Sequence, residues 1–166
     1  MGAARRGLAA APQPHINTLA MEIIRITDDD RLLVEPEWLE RAERVHRQLR
    51  PQLPPDYAGK MQAVFASGGE MCVAVKEEHV VGIAVFRHFQ NTHTGQKFYV
   101  DDLVTDDAAR SSGVGHALIA FLEKLARTRG CSGMELDSGT QRTRAHKFYF
   151  REGFVIPSFS FRKDFE

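Results

Sequence analysis

The chain lacks a net charge. Its 22 lysines and arginines balance 22 aspartates and glutamates over 166 residues. A protein that binds nucleic acid or an anionic membrane surface through its overall charge normally carries an excess of basic residues. We therefore expect neither partner, and any charge-driven recognition has to be local.

Cysteine is equally scarce, with only two residues, Cys72 and Cys131. They have no metal-ligand spacing, and the histidines are also scattered without it. Both cysteines fall in segments predicted as strand or strand edge, where a reduced thiol packs as a small apolar group. We expect a cytoplasmic protein with no disulfide framework and no metal site.

Long apolar runs are missing too, since no stretch approaches the roughly 20 residues that cross a bilayer. The first twenty residues contain two arginines and no acid, which raises the question of a targeting segment. However, residues 8–11 are too short for a secretory core, and Pro12 and Pro14 interrupt any amphipathic helix. We predict a disordered tail over residues 1–20 and a single domain over residues 21–166.

The first half of that domain alternates strands and helices. Residues 21–27 are β-branched and precede an aspartate run, which predicts a strand and a turn. Pro36 suits the first turn of a helix that ends at Leu49, before Pro51, and a second helix follows from Tyr57 to near Gly68. Residues 71–76, 80–89 and 97–105 predict three consecutive antiparallel strands.

The second half contains the longest predicted helix. Its apolar stripe has helical spacing and comprises Val114, Ala117, Leu118, Phe121, Leu122 and Leu125. A strand over residues 133–138 implies a right-handed parallel crossover. A short helix from about Thr143 to Arg151 then precedes residues 154–165, which predict a final strand bent at Pro157.

Two glycines, Gly113 and Gly115, mark the passage from the third antiparallel strand into the long helix. The first amides of a helix have no partner within it, and glycines let an anion approach them closely. Arg110, Ser111 and Ser112 would add donors to such a phosphate site. The motif matches neither GxxxxGK(S/T) nor GxGxxG, so spacing alone equally allows a turn that merely packs tightly.

Two sequence segments, taken together, favour the phosphate site over the tightly packed turn. "RSSGVG", residues 110–115, resembles the diphosphate-binding segment of the GNAT superfamily of N-acetyltransferases, and "AHKFYFREGF", residues 145–154, resembles the superfamily's AxxxY...GF segment. The resemblance covers residues 21–166 and implies an α/β fold: a central, mostly antiparallel sheet, one splayed parallel pair at the acetyl-CoA site, and about four flanking helices. The end of the chain looks most like bacterial small-amine and aminoalkylphosphonate acetyltransferases.

The resemblance also implies acetyl-CoA as co-substrate and identifies the residues that would hold it. Backbone groups of Leu103, Val104 and Thr105 would pair with the pantetheine arm. Amides of Ser111, Ser112, Gly113, Val114 and Gly115 would hold the diphosphate, with Arg110 beside it. Arg142 stands where many relatives have an asparagine. It would meet the 3′-phosphate or an anionic substrate group, unless it is simply a solvated helix end.

The implied reaction is direct attack of an amine on the thioester while both substrates are bound. Asp101 and Asp102 are the candidate proton acceptors. Strand alternation predicts that only one enters the cleft, and we favour Asp101, although a bulge in this strand would change the assignment. An amide near Leu103 would stabilise the oxyanion, and Tyr149 would protonate the leaving thiolate. Without the resemblance, Tyr149 would be interpreted as a core aromatic residue.

The acceptor is less well defined. Asp56, Tyr57, Asp101 and Glu70 are candidates for binding a cation, whereas Arg142 and His93 suit a phosphonate or carboxylate. We expect a small-molecule amine. A peptide or protein amine, or an acyl-CoA sensor without turnover, stays open. The phenylalanines of the predicted final strand suggest a homodimer, because a free edge would leave them exposed.

Overall fold

The computed structural model describes residues 21–165, so the predicted tail lies outside the described residues. Its strands are β1 (Glu22–Arg25), β2 (Gly69–Lys76), β3 (His79–Asn91), β4 (Gly95–Thr105) and β5 (Met134–Leu136). Its helices are α1 (Pro36–Leu49), α2 (Tyr57–Ala66), α3 (Val114–Thr128) and α4 (Thr143–Arg151). The mixed α/β class and the order of these elements from β1 to α4 are as the sequence predicts.

The strands form one sheet in the order β1-β2-β3-β4-β5. The first four are antiparallel neighbours, and β5 pairs with β4 in parallel after the crossover through α3. Glu77 and Glu78 form the β2–β3 turn with positive φ, which is the backbone a two-residue hairpin turn requires.

Apolar side chains fill both faces of the sheet. One buried cluster joins α1 and α2 to the sheet through residues such as Leu39, Met61 and Ile83. The other packs α3 against the opposite face through Leu118, Leu122 and Phe86. The helices are thereby fixed on either side of β4, the strand that carries the predicted site.

The predicted final strand is wrong. Residues 154–165 form no strand, and Phe159, Phe161 and Phe165 are 83%, 93% and 87% exposed. Alternating apolar residues favour an extended backbone, but a strand also needs a partner edge. Pro157 has no N–H to contribute to such pairing.

None of the helices within residues 21–165 is long and apolar enough to span a bilayer. In the same part of the chain, histidine, cysteine, aspartate and glutamate side chains form no group of three that could hold a metal ion. Cys72 and Cys131 are both buried and free.

Candidate active site

A β-bulge places both candidate carboxylates on one side of β4. Val100 pairs with Phe86 and Asp102 pairs with Val85, which leaves Asp101 without a partner on β3. The extra residue interrupts the alternation of side chains, so Asp101 and Asp102 line the same cavity. The prediction that only one of them enters the cleft is therefore wrong.

This cavity, which we call the acceptor cavity, has a volume of about 460 Å³. It lies between the ends of α1 and α2 and the strands β3 and β4. It contains charges of both signs: the acids are Asp101, Asp102 and Asp137, and the bases are Arg50, Lys60 and Arg87. A cavity of this size and polarity suits a small charged molecule.

The two adjacent carboxylates have different partners. Arg87 Nε donates to Asp101 Oδ2 over 2.6 Å. Asp102 accepts from Arg50 Nε at Oδ1 over 2.8 Å and lies 2.9 Å from His46 Nε2 through Oδ2. Burial favours the neutral Asp102 carboxyl, but the hydrogen bonds from His46 and Arg50 outweigh it and hold its pKa below the ordinary value. Asp102 is therefore a carboxylate at neutral pH.

A narrow cleft opens where β4 and β5 separate. The two strands pair only from Phe98 to Val100 on β4, so residues 101–105 have no strand on that side within the described structure. Leu103, Leu136 and Tyr149 are among the residues that line the cleft. Arg50, Asp101 and Asp137 line both the cleft and the acceptor cavity, so the two spaces meet at these side chains.

Tyr149 reaches this cleft from α4. Its ring packs against Phe148 and Phe154, with centroids 5.5 and 5.7 Å apart. Burial raises the pKa of the phenol, while nearby Arg142 lowers it to a smaller extent. The phenol is thus neutral at physiological pH and has a proton to donate. Arg142 itself lines the cleft at the N-terminus of α4.

The loop before α3 directs backbone amides outward. Ser111 has φ of 65° and Gly113 has φ of 84°, both in the left-handed region. Gly113 is the N-cap of α3, and no side chain in the described structure caps this helix. Its first amides are therefore available to an anion, as expected at the start of a helix that follows a glycine.

The side chains of this loop have other roles. Arg110 forms an ion pair with Asp107, and the Ser112 hydroxyl donates to the Ala109 carbonyl over 2.6 Å. Val114 is buried. A Cβ at Gly115 would lie 2.9 Å from the Phe148 ring, so this glycine permits close packing of α4 on α3. The loop thus offers its backbone rather than its side chains, and the contact at Gly115 agrees with a turn that packs tightly.

Leu103, Val104 and Thr105 lie on the unpaired stretch of β4. Val104 is buried in the core beneath α1, Leu103 packs toward α3, and the Thr105 hydroxyl lies close to Gly115. Their outer backbone groups face the gap where β5 no longer pairs with β4.

Several residues of the acceptor cavity could not be named from their type alone. His46 is the clearest case, and a signal for it exists, because Leu39, Ala42 and His46 share the buried face of α1. Arg50 follows one turn later, toward the same cavity. Asp137, Lys60 and Arg87 show no comparable pattern, since long-range strand and helix contacts bring them together.

Conversely, some residues expected at the acceptor site lie elsewhere. Glu70 is only 1% exposed and is bound by Arg25 and Arg129 on the other side of the sheet. Asp56 caps α2 by accepting from the Gly59 amide. Tyr57 is buried, and its hydroxyl lies 3.0 Å from His46 Nδ1. His93 lies in the β3–β4 turn, and neither it nor Glu70 lines the acceptor cavity.

Comparison with solved structures shows a shared fold. The chain superposes with a TM-score of 0.74 on AAC(6')-Iy in complex with the bisubstrate analog CoA-S-monomethyl-acetylneamine. The match covers 89% of this chain and 99% of that one at 17% identity. At this level of identity the likeness establishes the fold alone.

Sequence comparison establishes the family. The chain is 31% identical over 136 residues to the uncharacterized N-acetyltransferase YhdJ of Bacillus subtilis strain 168, covering 80% of this chain and 95% of that relative. It is 33% identical over 92 residues to the aminoalkylphosphonate N-acetyltransferase of Salmonella typhimurium strain LT2, covering 55% of this chain and 60% of the relative. The model of the acetyltransferase (GNAT) family matches residues 33–154. The chain therefore belongs to the acetyltransferase (GNAT) family.

Proposed function

We propose that the protein transfers an acetyl group from acetyl-CoA to the primary amine of a small molecule while both substrates are bound. The observation that carries this proposal is the junction of the two spaces. The acceptor cavity, with its three carboxylates, opens at Asp101 into the cleft that contains Tyr149. An amine held on one side would face a thioester on the other.

The cofactor side fits an extended chain that ends in a diphosphate. The free edge of β4 at Leu103, Val104 and Thr105 offers backbone donors and acceptors, as a strand offers them to an added peptide. The uncapped amides over residues 111–115 suit the diphosphate. Arg142 would bind an anionic group nearby. Acetyl-CoA would supply the activated acetyl thioester, with its sulfur next to Tyr149.

Side chains of the protein carry out the proton transfers that the acetyl transfer requires. A carboxylate of the Asp101–Asp102 pair accepts a proton from the acceptor ammonium, which frees the nitrogen lone pair to bond to the acetyl carbon. The carbon–sulfur bond breaks, and Tyr149 donates its phenol proton to the departing thiolate. The nitrogen loses its second proton as it becomes an amide, and this proton returns the Tyr149 phenolate to the phenol. The ordinary pKa of a phenol is about 10 and that of a thiol about 8.5. Burial raises the pKa of Tyr149 further, so the transfer from Tyr149 to the thiolate is uphill and depends on the second proton that the nitrogen releases.

The charges of the acceptor cavity suit an amine that also carries an anionic group. Arg50 and Arg87 are paired with Asp102 and Asp101. Lys60 has no acidic partner within residues 21–165, which leaves its ammonium for a ligand anion at the cavity wall. One curated relative is named an aminoalkylphosphonate N-acetyltransferase. An aminophosphonate is accordingly the first acceptor to test.

We also propose that the protein is a homodimer in the cytoplasm. Five large apolar side chains between Val155 and Phe165 are at least 68% exposed, and a second copy would cover them. The cytoplasmic location is supported by the two free, buried cysteines.

Two measurements on the purified chain test this function. Titration calorimetry with acetyl-CoA is expected to show one saturable site, and chromatography is expected to show an N-acetylated product from at least one small amine. Absence of acetyl-CoA binding would overturn the proposal. Binding without product from polyamines, amino acids or aminophosphonates would favour an acyl-CoA sensor, whereas product only from peptides would favour a peptide acetyltransferase.

A further inference from the structure

His46 occupies an unusual position for a histidine. It lies on the apolar face of α1 and is only 2% exposed, yet both ring nitrogens have polar partners. Nε2 lies 2.9 Å from Asp102 Oδ2, and Nδ1 lies 3.0 Å from the Tyr57 hydroxyl. The Tyr57 ring meets the imidazole edge-on, at 88° and 5.7 Å. The three side chains form one hydrogen-bonded chain that ends in the acceptor cavity.

The hydrogen bonds from His46 to Asp102 and Tyr57 fit only one tautomer of neutral His46. Asp102 is ionised and only accepts hydrogen bonds, so Nε2 must carry the proton that points at it. Nδ1 is then an acceptor, and the Tyr57 hydroxyl donates to it. Burial raises the pKa of Tyr57, so the phenol keeps the proton that this arrangement needs.

Asp102 is held from a second direction as well. Arg50 Nη2 lies 2.6 Å from Oδ1, so the two carboxylate oxygens have different donors. A carboxylate accepts about four hydrogen bonds. Both Arg50 nitrogens contact Oδ1, whereas Oδ2 has His46 alone, so Oδ2 retains an open acceptor site. The side chain is fixed in orientation, remains charged, and can still receive a hydrogen bond from a ligand in the acceptor cavity.

We infer that Tyr57 and His46 are positioning residues that hold Asp102 as the carboxylate that binds the acceptor ammonium. This inference rests on the proposed acetyl transfer and assigns the ammonium to Asp102 rather than to Asp101. Asp102 would accept the first proton as the N–H bond of the ammonium breaks. His46 acts by donating its Nε2 hydrogen to Asp102.

Other charged groups surround the three side chains. Those that line the acceptor cavity or act on Tyr57 are Asp101 on β4, Asp137 after β5, Arg87 on β3, Lys60 on α2, Glu43 and Arg47 on α1, and Arg50 at its C-cap. The Tyr57 and His46 substitutions leave all of these groups in place, so their effects report on the Tyr57–His46–Asp102 hydrogen bonds. Asp101→Asn removes one of the groups and serves as the comparison for Asp102→Asn.

Nitrogen-15 NMR of the free protein tests the hydrogen bonds without any reaction. The His46 ring is expected to show the Nε2–H tautomer in both the wild type and Tyr57→Phe, because Asp102 still accepts from Nε2. The Nδ1 resonance is expected to shift in Tyr57→Phe, which keeps the ring and loses the hydroxyl that donates to Nδ1. An Nδ1–H tautomer in the wild type, or an unmoved Nδ1 resonance in Tyr57→Phe, would overturn the inference.

Ligand binding tests the assignment to Asp102. Aminomethylphosphonate is expected to shift the His46 resonances of the wild type and to leave those of Asp102→Asn unmoved, whereas Asp101→Asn should behave as the wild type does. The opposite pattern, with Asp101→Asn insensitive, would contradict the assignment.

Kinetics separate positioning from packing. His46→Gln can still donate to Asp102, whereas His46→Leu fills the apolar space without a donor. We expect His46→Leu to lower kcat/KM for the amine about tenfold or more, with the acetyl-CoA Kd unchanged, and His46→Gln to recover much of it. Equal kcat/KM in wild type and His46→Leu would sink the inference and leave the acetyl transfer standing. An inactive wild type with the expected tautomer would refute the proposed function instead.

Discussion

Asp101 and Asp102 are consecutive residues of β4, yet their carboxylates line one cavity and are bound by arginines from different elements. Arg87 of β3 holds Asp101, and Arg50 at the C-cap of α1 holds Asp102. A regular strand would turn one of the two away. The bulge at Asp101 therefore brings two negative charges to the acceptor cavity, and Asp101 also lines the cleft.

Tyr149→Phe tests the proton donor of the proposed reaction. The ring packing on Phe148 and Phe154 remains in this variant, and only the hydroxyl is lost. We expect kcat to fall about a hundredfold or more, the typical contribution of a general acid, with little change in acetyl-CoA affinity. Stopped-flow thiol release and calorimetry measure the two quantities.

Phe150→Leu is the matched control for Tyr149→Phe, because Phe150 lies on the exposed side of the same helix. It should leave kcat within about twofold. A Tyr149→Phe enzyme as fast as this control would exclude Tyr149 as the acid.

Asp106 is expected to make the stability of the fold sensitive to acid. The hydrogen bond from Arg44, helped by Gln48 and opposed by burial, holds the pKa of Asp106 at about 2, against an ordinary value of 3.8. The folded state therefore binds this proton less readily than the unfolded state. The resulting stability is fully present above about pH 4 and is lost as the pH falls toward 2.

Urea unfolding at several pH values measures this effect. Between pH 4 and pH 2, the free energy of unfolding of Asp106→Asn should fall by about 1 to 2 kcal/mol less than that of the wild type. Asp107→Asn, on the exposed neighbouring residue, serves as control. If the free energy of unfolding changed with pH equally in the wild type and Asp106→Asn, Asp106 would not be the cause of the acid sensitivity.

Glu70 is expected to stabilise the fold rather than to bind substrate. Its buried carboxylate joins Arg25 of β1 and Arg129 at the end of α3. Glu70→Ala would leave the two arginines with only the exposed Asp29 as a shared acid. It should lower the free energy of unfolding by an amount toward the lower end of about 3 to 5 kcal/mol. KM for the amine should be unchanged at temperatures where the variant is folded.

Glu123→Ala provides the comparison, since it breaks an exposed pair with Arg127 within one helix. Its cost should be below about 1 kcal/mol. If chemical denaturation gave similar decreases in the free energy of unfolding for Glu70→Ala and Glu123→Ala, the buried ion pairs of Glu70 would stabilise the fold no more than an exposed pair.

The segment from Val155 to Phe165 is expected to mediate self-association. Light scattering at several concentrations should give the mass of two chains for the wild type. The double variant Phe159→Ser, Phe161→Ser should give the mass of one chain, because two exposed aromatic side chains are removed without disturbing the core. A wild type that is monomeric at every concentration would exclude the dimer.

Helix ends and the family were accessible from the sequence because local chemistry defines them. Pro36 and Leu49 bound α1, and Thr143 and Arg151 bound α4, as the capping and periodicity signals predict. The two family motifs contain the uncapped loop before α3 and Tyr149, which lines the cleft. These features depend on residues close together in the chain.

The features that the sequence did not predict depend on contacts between segments that are distant in the chain. The bulge at Asp101 is a property of the β3–β4 register, which no single strand encodes. The bond between His46 and Asp102 joins residues 56 positions apart. The prediction of a final strand was wrong for the same reason. Residues 154–165 have alternating apolar side chains, but they form a strand only if an edge of the sheet is available to pair with them.

Thiol release from acetyl-CoA in the presence of a panel of small amines tests the central claim most directly. Polyamines, amino acids and aminophosphonates should be compared with a control that lacks protein. We predict saturable release of coenzyme A with at least one of these amines, strongest for an amine that carries an anionic group, and a loss of that release in Tyr149→Phe. Release no faster than in the protein-free control, for every amine in the panel, would contradict the account.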